Sequence, residues 1–162
     1  MRGGCQLTSW FCSHRELLLA ALVTAMTGLS SYADNAITVG GSPAVLDIGS
    51  APPLPAGERR GLIITVLGFE PPASGAVGGV VALRDDLAPA IEVGRFSLYP
   101  GTAFEAQSAD QAQHFQFDIT SVVPTSGGGR WSAEIRLEPL RQDQSTAGAL
   151  MRFGPARLFP MR

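Results

Sequence analysis

The sequence has little of the residue types that build metal centres and nucleophilic sites. Its 162 residues include two cysteines, Cys5 and Cys12, two histidines and no lysine. Both cysteines and His14 precede residue 34, so the rest of the chain has no thiol and one imidazole, that of His114. Disulfides, thiolate metal sites and a self-contained histidine metal site are therefore excluded for residues 34–162.

Charge is scarce as well. Charged residues make up 16% of the chain, and the arginines nearly offset the acidic residues, which gives a formal net charge of −2. A nucleic-acid-binding surface needs clustered positive charge, and no arginine-rich run is present. A disordered chain would combine low hydrophobicity with a strong net charge, whereas 45% of these residues are hydrophobic. We therefore expect a folded domain that does not bind nucleic acid.

The first 33 residues have the pattern of a secretory signal peptide. Arg2 and Arg15 precede an uncharged apolar run at 17–29, and Ser31-Tyr32-Ala33 places small residues at positions −3 and −1 of a cleavage site. The run of about 13 residues is shorter than the roughly 20 that span a bilayer, so a permanent membrane anchor is the weaker alternative. We expect a secreted or periplasmic protein that starts near Asp34 and has no stable membrane insertion.

Long helical patterns are also missing. Nineteen glycines and twelve prolines interrupt the chain, and hydrophobic residues mostly alternate with period two. The segments predicted to be strands are 44–48, 62–67, 77–83, 95–99, 114–119, 131–138 and 151–159. Segment 62–67 is apolar on both faces and should lie centrally, whereas Pro155 should confine the last segment to an edge or a bulge.

These strands and the turns between them predict an all-β fold. We expect an antiparallel β-sandwich, jelly-roll-like, of about 6–8 strands over residues 59–162. Residues 34–58 should form an N-terminal extension or an edge strand. The alternation places Phe96, Phe115, Phe117 and Trp131 in the core. A helical turn should follow at 120–123, capped by Asp118 or Thr120.

No catalytic constellation stands out from the sequence. There is no G-x-S-x-G motif, and the carboxylates of Asp85-Asp86, Glu105 and Asp110 lack the spacing of a calcium loop. They could bind a hard cation or supply half of a glycosidase pair, but acidic residues in turns are usually only solvated. We expect no enzymatic activity, no metal and no cofactor.

Three residues are candidates for contact with a partner. Tyr99 and Phe104 flank Pro100-Gly101 in a predicted loop, where an aromatic ring would be exposed unless it packs locally or inserts into a partner. His114 falls on the polar face of its strand, where it is either a solvated histidine or part of a partner surface.

Several segments together resemble the C-terminal β domain of tyrosinases and polyphenol oxidases. In that family a Phe-Asp-Val/Ile-Thr element follows two strands and precedes a last strand that ends near a proline, and here the element reads Phe117-Asp118-Ile119-Thr120. The resemblance covers residues 59–140, and the segments that carry it are 60–69, 80–83, 93–99, 115–123 and 131–139.

The resemblance implies an accessory role rather than catalysis. In those enzymes the β domain packs over the mouth of the type 3 copper site, whose histidine triplets belong to a separate domain. Residues 34–162 hold one histidine, so the resemblance implies a shielding or stabilising partner for a tyrosinase-like copper oxidase, with Tyr99 and Phe104 as the contact candidates. The alternative is a stand-alone extracellular binding module for carbohydrate or another cell-envelope component.

Overall fold

A computed structural model gives the fold of the protein and describes residues 37–39, 41–73, 75–86, 88–98 and 101–162. The predicted signal peptide and its cleavage site lie outside these residues. Within them, no helix has the length and apolar character needed to cross a lipid bilayer.

Strands make up the regular structure of the described residues, together with one 3-10 turn at Ala109–Gln111. The strands are β1 (Ile37–Val39), β2 (Ala44–Ala51), β3 (Arg59–Glu70), β4 (Val77–Asp85), β5 (Ile91–Ser97), β6 (Phe104–Glu105), β7 (Gln113–Asp118), β8 (Gly128–Pro139), β9 (Leu150–Phe153) and β10 (Arg157–Met161). Each of the seven predicted segments overlaps at least one of these strands. β1 and β6 lie outside the seven predicted segments, because both are too short to show a hydrophobic period.

The strands form two antiparallel sheets, as predicted for a sandwich. One sheet has the order β2-β8-β4-β5. In the other, β3 is central: β9 and β10 lie end to end along one of its edges, β6 and β7 lie end to end along the other, and β1 pairs with β9. Residues before Arg59 therefore contribute a strand to each sheet, and both strands lie at a sheet edge.

The pairing is nested along the chain. β4 pairs with β5, β3 with β7, β2 with β8 and β1 with β9, so the chain behaves as one long hairpin folded over into two layers. This nesting is the jelly-roll arrangement, which confirms the predicted fold class.

The core lies between the two sheets and centres on β3. Leu62, Ile64 and Val66 point inward and are completely buried. On the opposite face of the strand Thr65 and Leu67 are buried too, which fits the prediction that this segment lies centrally. A strand buried on both faces reads as a continuous apolar run, because neither set of alternate residues meets water.

The predicted aromatic core is confirmed. Phe96, Phe117 and Trp131 are buried, and Phe115 is half-buried with its ring stacked on Phe96 at 4.3 Å between centroids. Phe96 and Phe117 meet edge to face at 6.5 Å. These rings join β5 to β7 and close one side of the sandwich.

Pro155 splits the last predicted segment into two strands. It lies exposed between β9 and β10, where Gly154 N–H donates to the Thr65 carbonyl at 2.9 Å and keeps the chain beside β3. Proline has no N–H to add to a strand ladder, which explains the interruption. The predicted edge position is wrong for β9, which lies between β1 and β3, whereas β10 lies at an edge.

Asp118 caps the turn that follows β7, as predicted. Its Oδ1 accepts from the Thr120 N–H at 3.1 Å and from the Thr120 hydroxyl at 2.7 Å. The amides of Val122 and Val123 both donate to the Ile119 carbonyl, which completes the helical turn. The hydrogen bond from Arg59, followed by those from Thr120, lowers the pKa of Asp118 to about 2.

The lowered pKa predicts how Asp118→Asn will respond to acid. A carboxyl whose pKa is about 2 when folded and about 3.9 when unfolded contributes its full stabilisation above pH 5 and loses it as the pH falls towards 2. The stability gap between wild type and Asp118→Asn should therefore be constant near neutral pH and should close between about pH 5 and pH 2. Urea denaturation at a series of pH values measures the gap, and a gap that stays constant down to pH 2 would contradict the assignment.

A buried arginine holds the end of the sandwich at which Asp118 caps the turn after β7. Arg60 lies on the inward face of β3 next to Leu62 and is only 1% exposed. Its Nη2 donates to the carbonyls of Pro52 at 2.6 Å and Pro124 at 3.2 Å, and its backbone N–H donates to the Thr120 hydroxyl. One side chain thus joins the loop after β2 to the loop after β7.

Candidate functional site

A groove lies on the outer face of the six-stranded sheet, where three strands meet at Gly68. Gly68 of β3 pairs with Glu105 of β6 on one side and with Arg152 of β9 on the other. The Glu105 and Arg152 side chains form an ion pair across the glycine. We call this feature the Gly68 groove; its volume is about 580 Å³ and its lining residues are Gly68, Phe69, Glu70, Ala103, Phe104, Glu105, Leu150 and Arg152.

Two features of β3 create the groove. The pairing of β3 with β9 has a bulge between Val66 and Gly68, and this irregularity brings Gly68 opposite Arg152. Gly68 has no side chain, and a Cβ there would lie 2.8 Å from Glu105 Oε2 and 2.9 Å from Arg152 Nη2. Only glycine therefore lets the ion pair lie directly over the strand.

The next row of side chains completes the groove. Two residues along β3, Glu70 pairs with Leu150 of β9 on the same outer face. Glu70 is exposed, and no ion pair to it is formed within the part of the chain that the structure describes. The groove thus combines an ion pair, a lone carboxylate and the apolar surface of Leu150 and Ala103, which together can accept and donate hydrogen bonds to a polar ligand.

Phe104 lines this groove, but not in the way the sequence predicts. The predicted loop is wrong at this residue, because Phe104 begins strand β6 and pairs with the buried Phe69 of β3. Of the two alternatives left open for its ring, local packing is the one found. Paired residues share a face, so the Phe104 ring points inward and packs half-buried against the core. Phe104 therefore borders the outer groove through its main chain, and its ring does not protrude from the surface.

His114 is exposed on β7, but its ring is already engaged within the chain. The Nε2 atom lies 3.3 Å from the Ala109 carbonyl, to which it donates, and Nδ1 forms a hydrogen bond with the Thr65 hydroxyl at 3.0 Å. The histidine holds the 3-10 turn at Ala109–Gln111 beside the sheet. A partner would meet the face of the ring rather than a free nitrogen. The third candidate, Tyr99, lies outside the described residues.

The acidic candidates do not converge. Asp86 lines a second, smaller groove of about 410 Å³ with Arg84 and Glu134, whereas Glu105 belongs to the Gly68 groove. Hydrogen bonds from Ser108 and from its own backbone lower the pKa of Asp110. Among the described residues, no three side chains of His, Cys, Asp or Glu approach closely enough to share a metal ion.

The outer face of the four-stranded sheet has its own ion pairs. Arg95 contacts Glu92 and Glu138, and Arg136 also contacts Glu138. The hydrogen bond from Arg136 is the main cause that lowers the pKa of Glu138, and the one from Glu92 is the main cause that raises the pKa of Arg95. These side chains are exposed and pair across neighbouring strands, so they form a solvated charged face.

No family model, curated protein or solved structure matches the chain. The resemblance to the tyrosinase β domain therefore stays a prediction. The Gly68 groove itself was not predicted, because its members come from three distant segments. The signal that could have drawn attention to it is a lone glycine inside the longest apolar strand, which often marks a bulge or a close approach.

Proposed function

We propose that the protein is an exported, non-catalytic binding module that holds a saccharide or another polar cell-envelope component in the Gly68 groove. The groove carries this proposal because it joins recessed apolar surface to a half-exposed ion pair on a rigid sheet. An exposed ion pair contributes little to stability, so its donors and acceptors are available to exchange for those of a ligand. The sheet holds them in place without ordering a loop on binding.

Filling the groove tests this proposal. In Gly68→Leu the new side chain would displace only the flexible ends of Glu105 and Arg152, so the fold should survive and the groove should be occupied. Gly41→Leu is the matched control, because a Cβ at exposed Gly41 has no neighbour within 4 Å. Sedimentation with chitosan, chitin and peptidoglycan should show that wild type and Gly41→Leu bind at least one of them and that Gly68→Leu binds it about tenfold more weakly.

Equal retention of wild type and Gly68→Leu on every polysaccharide would refute the groove as the binding site. Circular dichroism of Gly68→Leu separates a filled groove from a failure to fold. No binding of wild type to any of the three would count against the saccharide.

The accessory role on a phenol-oxidising copper enzyme is the second candidate. The sandwich fold, which the resemblance implies, supports it. Because Phe104 packs against its own core, insertion of that ring into a copper-site mouth has no support, and a contact would have to use another surface. Addition of the protein to a purified tyrosinase should change the stability or activity of that enzyme if this candidate is right, and no change at a molar excess would exclude it.

A further inference from the structure

The charges of the Gly68 groove are unequal. Two carboxylates, Glu70 and Glu105, face one guanidinium, that of Arg152, which already pairs with Glu105. The groove therefore has a formal charge of −1, and the excess is the lone Glu70 carboxylate. An anionic ligand would meet this carboxylate as a like charge, whereas a cationic ligand gains a partner there.

The strand register places the two carboxylates within reach of one cation. Glu105 of β6 is paired with Gly68 of β3, and Glu70 lies two residues after Gly68 on the same face of β3. The two glutamates are therefore diagonal neighbours on adjacent strands. Residues in such a diagonal relation on neighbouring strands lie about 7–8 Å apart. A single ammonium group can hydrogen-bond two carboxylates at that separation, because it has three donors and both side chains are flexible.

We infer that the Gly68 groove selects a saccharide that carries a protonated amino group, with the ammonium held between Glu70 and Glu105. This inference rests on the proposed function and specifies its ligand. The residues on either side of Glu70 support this inference, because Leu150 and Ala103 offer apolar surface to the C–H face of a sugar ring. Arg152, released in part from Glu105, can donate to the ring hydroxyls.

The test compares two sugars that differ only in the amine. Calorimetric titration of the full chain with a glucosamine hexasaccharide and with its N-acetylated counterpart should give a dissociation constant at least about tenfold lower for the free amine at a mildly acidic pH, at which the amine is protonated and a glutamate is still ionised. Glu70→Gln should remove this preference, whereas Glu134→Gln, in the smaller groove, should keep it. The preference should also shrink in high salt, because the groups are exposed.

The outcomes separate this inference from the proposed function. Equal affinity for the two sugars, with binding lost in Gly68→Leu, would overturn amine selection and leave the binding module standing. A preference that persists in Glu70→Gln would also overturn it. Binding of a lysine-rich peptide with neither sugar bound would overturn the saccharide ligand and the proposed function together.

Discussion

Arg60→Ala should lower the free energy of unfolding by about 3–5 kcal/mol. The side chain is among the largest that are fully buried, and its guanidinium holds the carbonyls of Pro52 and Pro124. Alanine would leave a cavity and two carbonyls without a charged donor. Chemical denaturation measures the loss, which should appear as a lower denaturation midpoint with an unchanged m-value.

Two variants control for this effect. Arg59→Ala removes the neighbouring arginine, which is half-exposed and pairs with Asp118 at the surface, so its effect should be small by comparison. Arg60→Lys keeps the positive charge, but its more strongly hydrated ammonium is costlier to bury than the guanidinium whose Nη2 donates to both carbonyls, so it should fall between wild type and Arg60→Ala. If Arg60→Ala and Arg59→Ala are equally stable, the buried arginine does not hold the two loops together.

Phe117→Ala should cost a similar amount, about 3–5 kcal/mol. Phe117 is 8% exposed, contacts Phe96 edge to face and lies against Gly94 of β5, where a Cβ would come within 2.6 Å of the ring. Loss of the ring removes one of the two aromatic contacts that hold β5 against β7. The melting temperature and urea midpoint would both report it, and a domain of marginal stability would unfold.

Gln116→Ala is the matched control for Phe117→Ala. Gln116 is the preceding residue of β7 and is exposed on the opposite face, so its truncation should change stability little. A large loss in Gln116→Ala together with a small loss in Phe117→Ala would mean that the two faces of β7 are assigned the wrong way round.

The strands could be predicted because their burial is a local pattern. Trp131 and its alternate neighbours in β8 show the core face directly in the sequence. Alternation also places Arg60 on the inward face with Leu62, but a charged residue is ordinarily read as exposed. What reveals its buried position is the pair of carbonyls at Pro52 and Pro124, which the sequence does not show.

The candidate site could not be predicted because it depends on pairing between distant strands. Phe104 was placed in a loop since its two-residue strand has no period, and only the pairing with Phe69 turns the ring inward. The ion pair over Gly68 likewise needs β6 and β9 on either side of β3 and a bulge that sets the register. No local pattern encodes that arrangement.

The nested strand pairing also constrains the order in which the chain can fold. β4 and β5 are neighbours in sequence, whereas β1 and β9 come from opposite ends of the described residues. Closing the outer pair first would cost the most loop entropy, and each inner pair that forms shortens the loop that remains to be closed. Assembly is therefore favoured from the β4–β5 hairpin outward. Mutations in this hairpin should slow folding almost in proportion to the stability that they remove, which is a folding φ value of about 1, whereas mutations in β1 should give values of about 0. A fold dominated by such distant contacts belongs to the slow class, which folds in about milliseconds to seconds.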